Sequence, residues 1–359
     1  AAHALQVISK PKPTPLPVEL VRDVYAATEA NPRYSEGSVI ALHDGTLLYT
    51  TTEFFEKTND DATAHIVVKQ SKDEGLSWSA SSVLQENTGT QNVMSVTLRY
   101  LKDPVEDNEF LALIYLKKDG PDVLNVYMRK SHDEGKSWGE PIHATPTPGY
   151  HVMNNDRVTQ LSTGRILVPV ASSPDIRTEN HFKCSVFYSD DGGRTWQRSV
   201  DPVDYAERGA MEPEVIEMED GRVLMHFRTQ LGHIGVSYSE DGGAHWSKAD
   251  SWGVRAPEAP STLRVIPSTG DWMLIWNDNH EAGSGHGGAR TPLTVAISSD
   301  EGKTWAHRKV LEDDPHRGYA YTSLYFHKGR ALMTYYVNDK ANKKISSRFR
   351  SIPIAWFYE

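Results

Sequence analysis

One short turn is written five times along this chain: SKDEGLSW at 71–78, SHDEGKSW at 131–138, SDDGGRTW at 189–196, SEDGGAHW at 239–246 and SSDEGKTW at 298–305. The copies begin 60, 58, 50 and 59 residues apart. Such a period means one supersecondary unit per copy, with each unit burying its apolar face against its neighbours. The acidic, glycine-containing run is not an EF-hand loop, because the bidentate Glu required at the twelfth position is absent. Turn chemistry accounts for each residue type: the Asp accepts backbone N–H bonds, the Gly tolerates positive φ, and the Trp covers the turn with apolar area. The fourth copy carries His245 where the others have Ser or Thr, and a looser turn is expected there.

A second series runs between the boxes. Short β-rich segments begin near Glu36, Met94, Asp156, Glu212, Ser261 and Tyr321. Each is followed by a second apolar run (TLLYTT, EFLALIYL, RILVPVA, RVLMHFR, DWMLIW, RALMTYY) and most by a third, such as HIVVKQ or CSVFY. With the box and one more strand, this makes six four-stranded antiparallel units. The expectation is an all-β, six-bladed β-propeller with box turns in five blades, forming one domain over 1–359. The sixth unit has no box. The N-terminal segment (about 1–30, and 16–25 in particular) is expected to supply its outer strand and close the ring.

Composition narrows the function classes. A net charge of −10 and a pI near 5.8 exclude a general nucleic-acid or anionic-membrane binder, which needs a basic face. Any anionic ligand must be held by local cations. Cys184 is the one cysteine, so no intramolecular disulfide forms. There is no apolar run of about 18 residues to insert in a membrane. The start at Ala1-Ala2 without Met suits the end left by signal-peptide cleavage, and a secreted or periplasmic location is the expectation. The sequence has no H-E-x-x-H and no cysteine pair with zinc-site spacing, and neither metal nor cofactor is expected.

If the first strand of each unit runs away from one face, its start, the end of the second strand and the following loop all meet on that face. The boxes then lie on the other face as scaffold, and function belongs to residues that do not repeat. The converging positions are Glu36, Asp60, Asp61 and Asn92, then Asn155, Asp156 and Arg157, then Glu212, Arg228, Arg290 and Tyr321. Charges are rarely buried unless paired. The set therefore reads as a binding cleft, or as ion pairs that close the funnel.

These motifs resemble the sialidase superfamily, specifically bacterial BNR-repeat sialidase-like proteins, over nearly the full chain. EPEVIEMEDGRVLMHFR resembles the segment that places the catalytic glutamate at Glu212 and a triad arginine at Arg228. RTPLTVAISSDEGKTW resembles the segment with another triad arginine, Arg290, and YAYTSLYFHKG the one with the tyrosine nucleophile, Tyr321, with Tyr319 as the alternative. NDDATAHIVVKQSKDEG resembles the loop carrying the general acid, where Asp61 fits the spacing better than Asp60. The resemblance implies that Glu212 draws the phenol proton as Tyr321 attacks and that Asp61 protonates the leaving oxygen, while arginines grip a substrate carboxylate.

The chain departs from the family at the first arginine. NPRYSEGSVIALHDG contains no R-I-P motif; Ser35 or Glu36 falls in that arginine's register and Arg33 stands about two residues early. Either Arg33 reaches in through a longer turn, or Arg157 is the third cation and Glu36 has another task; Arg157 pairing with Asp156 is the alternative. Tyr335 and Tyr336 occupy the stretch where the family often places a glutamate. The leading expectation is an exo-acting, retaining glycosidase that takes a terminal sialic acid or related acidic sugar from a glycan. The alternatives are a glycosidase or lyase acting on another sugar such as a uronic acid, with His233 and His280 as suspects, and a carbohydrate-binding propeller without turnover. Trp276, Asn277 and Asp278 are expected either at the rim or, for Trp276, in blade packing.

Overall fold

The computed structural model describes residues 14–359. Residues 1–13 of the segment assigned to ring closure lie outside the described part. The described chain is all-β apart from two short 3-10 turns, Gly285–Gly287 and Ile354–Tyr358. Among the described residues no helix is long and apolar enough to cross a membrane.

After β1 (Leu20–Tyr25), an antiparallel meander is formed by β2 (Arg33–Ala41), β3 (Leu47–Phe54), β4 (Ala64–Ser71) and β5 (Ser82–Gln85). The same path recurs in β6 (Asn92–Asp103), β7 (Asn108–Gly120), β8 (Val123–Ser131) and β9 (Ile142–His143). A linking strand, β10 (Tyr150–Val152), precedes β11 (Thr159–Gln160), β12 (Ile166–Ser173), β13 (Lys183–Ser189) and β14 (Gln197–Arg198). Next come β15 (Met211–Glu217), β16 (Val223–Arg228), β17 (His233–Ser239) and β18 (Asp250–Arg255). They are followed by β19 (Thr262–Val265), β20 (Trp272–Asn277), β21 (Leu293–Ser298) and β22 (Ala306–Glu312). The series ends with β23 (Arg317–His327), β24 (Arg330–Asp339) and β25 (Lys344–Pro353). Strand β1 pairs antiparallel with β25, Leu20 opposite Ser351.

Two contacts fuse neighbouring meanders. Strand β10 joins β8 in parallel and β12 antiparallel, and β25 meets β2 in parallel at Ile345 and Arg33. Second strands such as VLMHFR in β16 and WMLIWN in β20 are buried along their whole length. They show no in-out alternation because both faces are packed, and their continuous apolar runs follow from that.

All five boxes sit between the third and fourth strands of their meanders. In the third, Asp191 Oδ1 accepts from Thr195 N (2.9 Å) and Ser189 Oγ (2.8 Å), and Oδ2 accepts from Thr195 Oγ1 (2.6 Å). Trp196 closes the turn by donating to Gly193 O at 2.9 Å. The fourth copy is not looser: His245 N and Nδ1 meet Asp241 Oδ1 and Oδ2 at 2.9 and 2.6 Å, so the imidazole takes the place of the hydroxyl. Asp191→Ala removes a charge-assisted cluster remote from the first-strand starts. It is expected to cost about 2 kcal/mol in urea unfolding and to leave ligand binding unchanged.

Candidate active site

Four first strands carry the same irregularity. In β2, β6, β15 and β23 two residues oppose one on the partner strand, and the register shifts across Ser35/Ser38, Met94/Thr97, Met211/Glu214 and Ala320/Ser323. The first bulged residue has positive φ each time: Glu36 (64°), Ser95 (58°), Glu212 (44°) and Tyr321 (59°). A left-handed conformation at a non-glycine residue costs roughly 1–3 kcal/mol and persists where the surroundings over-determine it, commonly at functional sites. A bulge also re-aims its side chain. Glu36, Glu212 and Tyr321 line one cleft of about 630 Å³; Ser95 instead donates to Met153 O.

The contacts of the cleft centre on Tyr321. Its hydroxyl lies 3.4 Å from Glu212 Oε1, which also pairs with Arg228 Nη1. Burial first, then the Glu212 charge, pushes the Tyr321 phenol well above its ordinary value, with Arg290 and Arg228 opposing. The phenol is therefore neutral near pH 7 and needs a base to lose its proton. Glu212 Oε2 is held from behind: with its amide oriented to satisfy both neighbours, Asn154 donates to Oε2 at 3.1 Å and accepts from Arg157 Nη2 at 2.9 Å.

Two arginines flank this pair. Arg228 Nη2 reaches Glu258 Oε1 at 3.2 Å, and the same oxygen is shared with Arg208. Burial works against the Glu258 charge, but Arg228 and Arg208 outweigh it and hold its pKa below the usual carboxylate value. Arg290 lies 5.5 Å from the Tyr321 ring centroid and donates to Tyr336 Oη (2.9 Å) and Glu258 O (3.2 Å). Among the described residues no carboxylate lies within salt-bridge distance of Arg290. Its charge is thus available to an anionic ligand.

From β2, which packs against β23, Arg33 donates to Asp60 Oδ1 at 2.7 Å and to Glu36 Oε2 at 3.1 Å. Desolvation disfavours the Asp60 charge, yet Arg33 holds its pKa below the ordinary value. The remaining wall, from the second and third meanders, carries an apolar patch of Met94, Leu116, Leu124, Val152, Ile176 and Phe182 beside Lys118, Tyr150 and Asn180.

Arg33, Glu36, Glu212, Arg228, Arg290 and Tyr321 thus share the cleft. Asp61 is absent from the lining but meets it through Lys118 Nζ, a lining group, at 3.3 Å; Asp60 lines the cleft itself, and the two side chains are about equally exposed, 66% and 65%. Arg157 is 0% exposed and bound to Glu214 Oε2 (3.0 Å) and Ser261 O (2.6 Å), so it meets the cleft only through Asn154. Asp156 pairs with Arg99 and Arg264, not with Arg157. Tyr319 is buried apart from the lining. Neither His233 nor His280 lines the cleft. Trp276 packs inside, donating to Arg255 O, and Asp278 pairs with Arg255 and Arg308.

Sequence reasoning missed Lys118, Asn154, Arg208 and Glu258, and named Tyr336 only for the glutamate it replaces. Glu258 carried a signal, since it lies in the stretch leading into its first strand. Among the described residues no group of three or more His, Cys, Asp or Glu side chains is placed to hold a metal ion.

Comparison with known proteins bears on the family and the fold. Residues 52–332 match the family model described as a BNR repeat-like domain. A sialidase of Micromonospora viridifaciens is 26% identical over 317 residues, covering 79% of this chain and 47% of that protein. A sialidase of Bacteroides fragilis (strain YCH46) is 26% identical over 217 residues, covering 56% of this chain and 38% of the relative. The chain therefore spans less than half the length of these curated relatives. Among solved structures, Trypanosoma rangeli sialidase in complex with sialic acid is similar with a TM-score of 0.73 at 16% identity, covering 94% of this chain and 59% of that one.

Proposed function

Since the chain belongs to the BNR repeat-like family, we propose that its meanders form a six-bladed ring whose cleft is the site of a sialidase-like exo-glycosidase. The enzyme releases a terminal acidic sugar with retention of configuration. The observation that carries this reading is the Tyr321–Glu212 contact at 3.4 Å between Arg228 and Arg290.

In the first step the Tyr321 oxygen bonds to the anomeric carbon as the bond to the leaving oxygen breaks. Glu212 takes the phenol proton and an acid protonates the leaving group. In the second step water attacks, its proton passes to the conjugate base of that acid, and Tyr321 leaves with the proton returned by Glu212. The substrate carboxylate lies against Arg228 and Arg290, whose planar guanidinium groups suit it.

The acid role falls to Asp60, the loop aspartate that faces the cleft. With the cleft empty, Arg33 keeps Asp60 ionised. A sugar that fills the cleft and expels water raises the cost of that charge, which is the direction an acid needs. The apolar patch suits a non-polar substituent of the sugar.

The test is proton NMR of the protein mixed separately with sialyllactose and with an aryl glucuronide. The sugar released first is expected to have the anomeric configuration of the linkage cut. Inversion, or no release from either compound, overturns the proposal.

A further inference from the structure

Glu36 occupies in β2 the same strained bulge position that Glu212 and Tyr321 occupy in β15 and β23. It is buried and lines the cleft. Its Oε2 accepts from Arg33 Nη2, and no other hydrogen bond reaches its carboxylate among the described residues. Arg33 also gives Nη1 to Asp60, so its charge is answered twice, as that of Arg228 is by Glu212 and Glu258. Arg290 is the lining guanidinium without a carboxylate partner among the described residues, and it stands over the Tyr321 ring. One part of the cleft thus asks for an anion, and another presents a carboxylate oxygen that asks for a donor.

We propose that Glu36 determines specificity, by accepting a hydrogen bond from a sugar hydroxyl while the carboxylate of the same sugar lies against Arg290. This rests on reading the cleft as an acidic-sugar site. The ligand class that satisfies both is a sugar acid with a hydroxyl on the ring carbon next to the one bearing the carboxylate, as in a hexuronic acid. N-acetylneuraminic acid has a methylene at that carbon and leaves the Glu36 oxygen desolvated and unpaired. Sites built to bond a hydroxyl reject analogues that lack it far more strongly than apolar pockets reject a methylene.

The state of Glu36 sets where discrimination is strongest. Burial, with the nearby charges of Asp60 and Glu212, pushes its carboxyl up to about 7 against the pull of Arg33 and Lys118; the neutral Tyr321 phenol also faces it. Above that pH Glu36 is an anion that can only accept, and below it a neutral acid that can also donate. Selection for a donor therefore grows as pH rises through about 7.

The experiment is NMR titration at pH 8 of wild type, Glu36→Gln and Glu36→Arg with methyl glucuronide and with the methyl α-glycoside of N-acetylneuraminic acid. Wild type is expected to bind the glucuronide at least about tenfold more tightly. Glu36→Gln, which keeps the size, lowers that ratio at least about fivefold, and Glu36→Arg reverses the preference by adding a third cation. If Glu36→Arg does not fold, the Gln variant still decides. A wild type that favours the neuraminide, or a ratio unchanged within about twofold in Glu36→Gln while both ligands bind, overturns the assignment to Glu36 alone. Binding of neither compound by wild type overturns the acidic-sugar reading, and this inference falls with it.

Discussion

Tyr321→Phe is expected to lower kcat on a cleaved acidic glycoside by at least on the order of a thousandfold, while the Kd of the sugar acid stays within about threefold. The split follows from what the hydroxyl does and what the ring does. The phenol has one interaction in the cleft, its contact with Glu212 at 3.4 Å. The ring packs on Tyr336 with centroids 5.4 Å apart and lies under Arg290, and phenylalanine keeps both contacts. Binding through Arg228 and Arg290 therefore survives, and only the covalent step is lost. Because the phenol titrates well above neutrality, the proposed attack requires Glu212 to remove its proton. Glu212→Gln should thus produce a loss of similar size, and the double variant little more than either single one, since the two act as a unit. A Tyr321→Phe enzyme that keeps more than about a tenth of its turnover would make another group the nucleophile.

The parts of this molecule that were legible in its sequence are those whose physics is local. An Asp, a Gly and a Trp at fixed offsets specify a turn within eight residues, and five copies at one spacing specify the unit they belong to. His245 shows the limit in a small way: a ring nitrogen at the usual hydroxyl position meets the same Asp241 oxygen, so the geometry of the turn, and not the residue type, was the invariant. Glu36, Glu212 and Tyr321 could be placed from sequence because each lies near the start of a first strand. The two-against-one bulges that turn them inward leave no mark beyond that position. Asp61 could not be told from Asp60, because both sit in one exposed loop and only the fold shows that Asp60 meets Arg33 while Asp61 meets Lys118. Arg157 was misplaced for another reason. Its partners Glu214, Ser261 and Asn154 lie on three different segments, and cross-unit pairing is not encoded in spacing. The same holds for Glu258, which gathers Arg208 and Arg228 from chain positions 50 and 30 residues away.

The network beneath the cleft carries the largest expected effect on stability. Glu214, 2% exposed, accepts from Arg157 Nη1 (3.0 Å), from Arg264 Nη1, from His226 Nε2 (2.9 Å) and from the backbone N of Leu263 (2.5 Å). Glu214→Ala leaves Arg157 fully buried without its counter-charge and takes one of two carboxylates from Arg264. Breaking a buried pair from one side costs about 3–5 kcal/mol, and urea unfolding at pH 7 should show a loss of that size. The pH dependence identifies the cause. Burial works against ionisation of Glu214, but Arg157 and Arg264 outweigh it and hold its carboxyl far below the ordinary value. A carboxyl depressed in the folded state contributes stability above its unfolded pKa, about 4.3, and that contribution is lost as pH falls through this value and below it. The gap between wild type and Glu214→Ala should therefore narrow from pH 6 to pH 3. A gap independent of pH would assign the loss to the cavity left by the side chain. The same variant also tests the link to the cleft, because Arg157 supports the Asn154 amide that bonds Glu212 Oε2. Where the protein still folds, kcat should fall more than sugar affinity, since Arg290 is anchored on Tyr336 and the Glu258 carbonyl, and Arg228 keeps its Glu258 contact when Glu212 loses support.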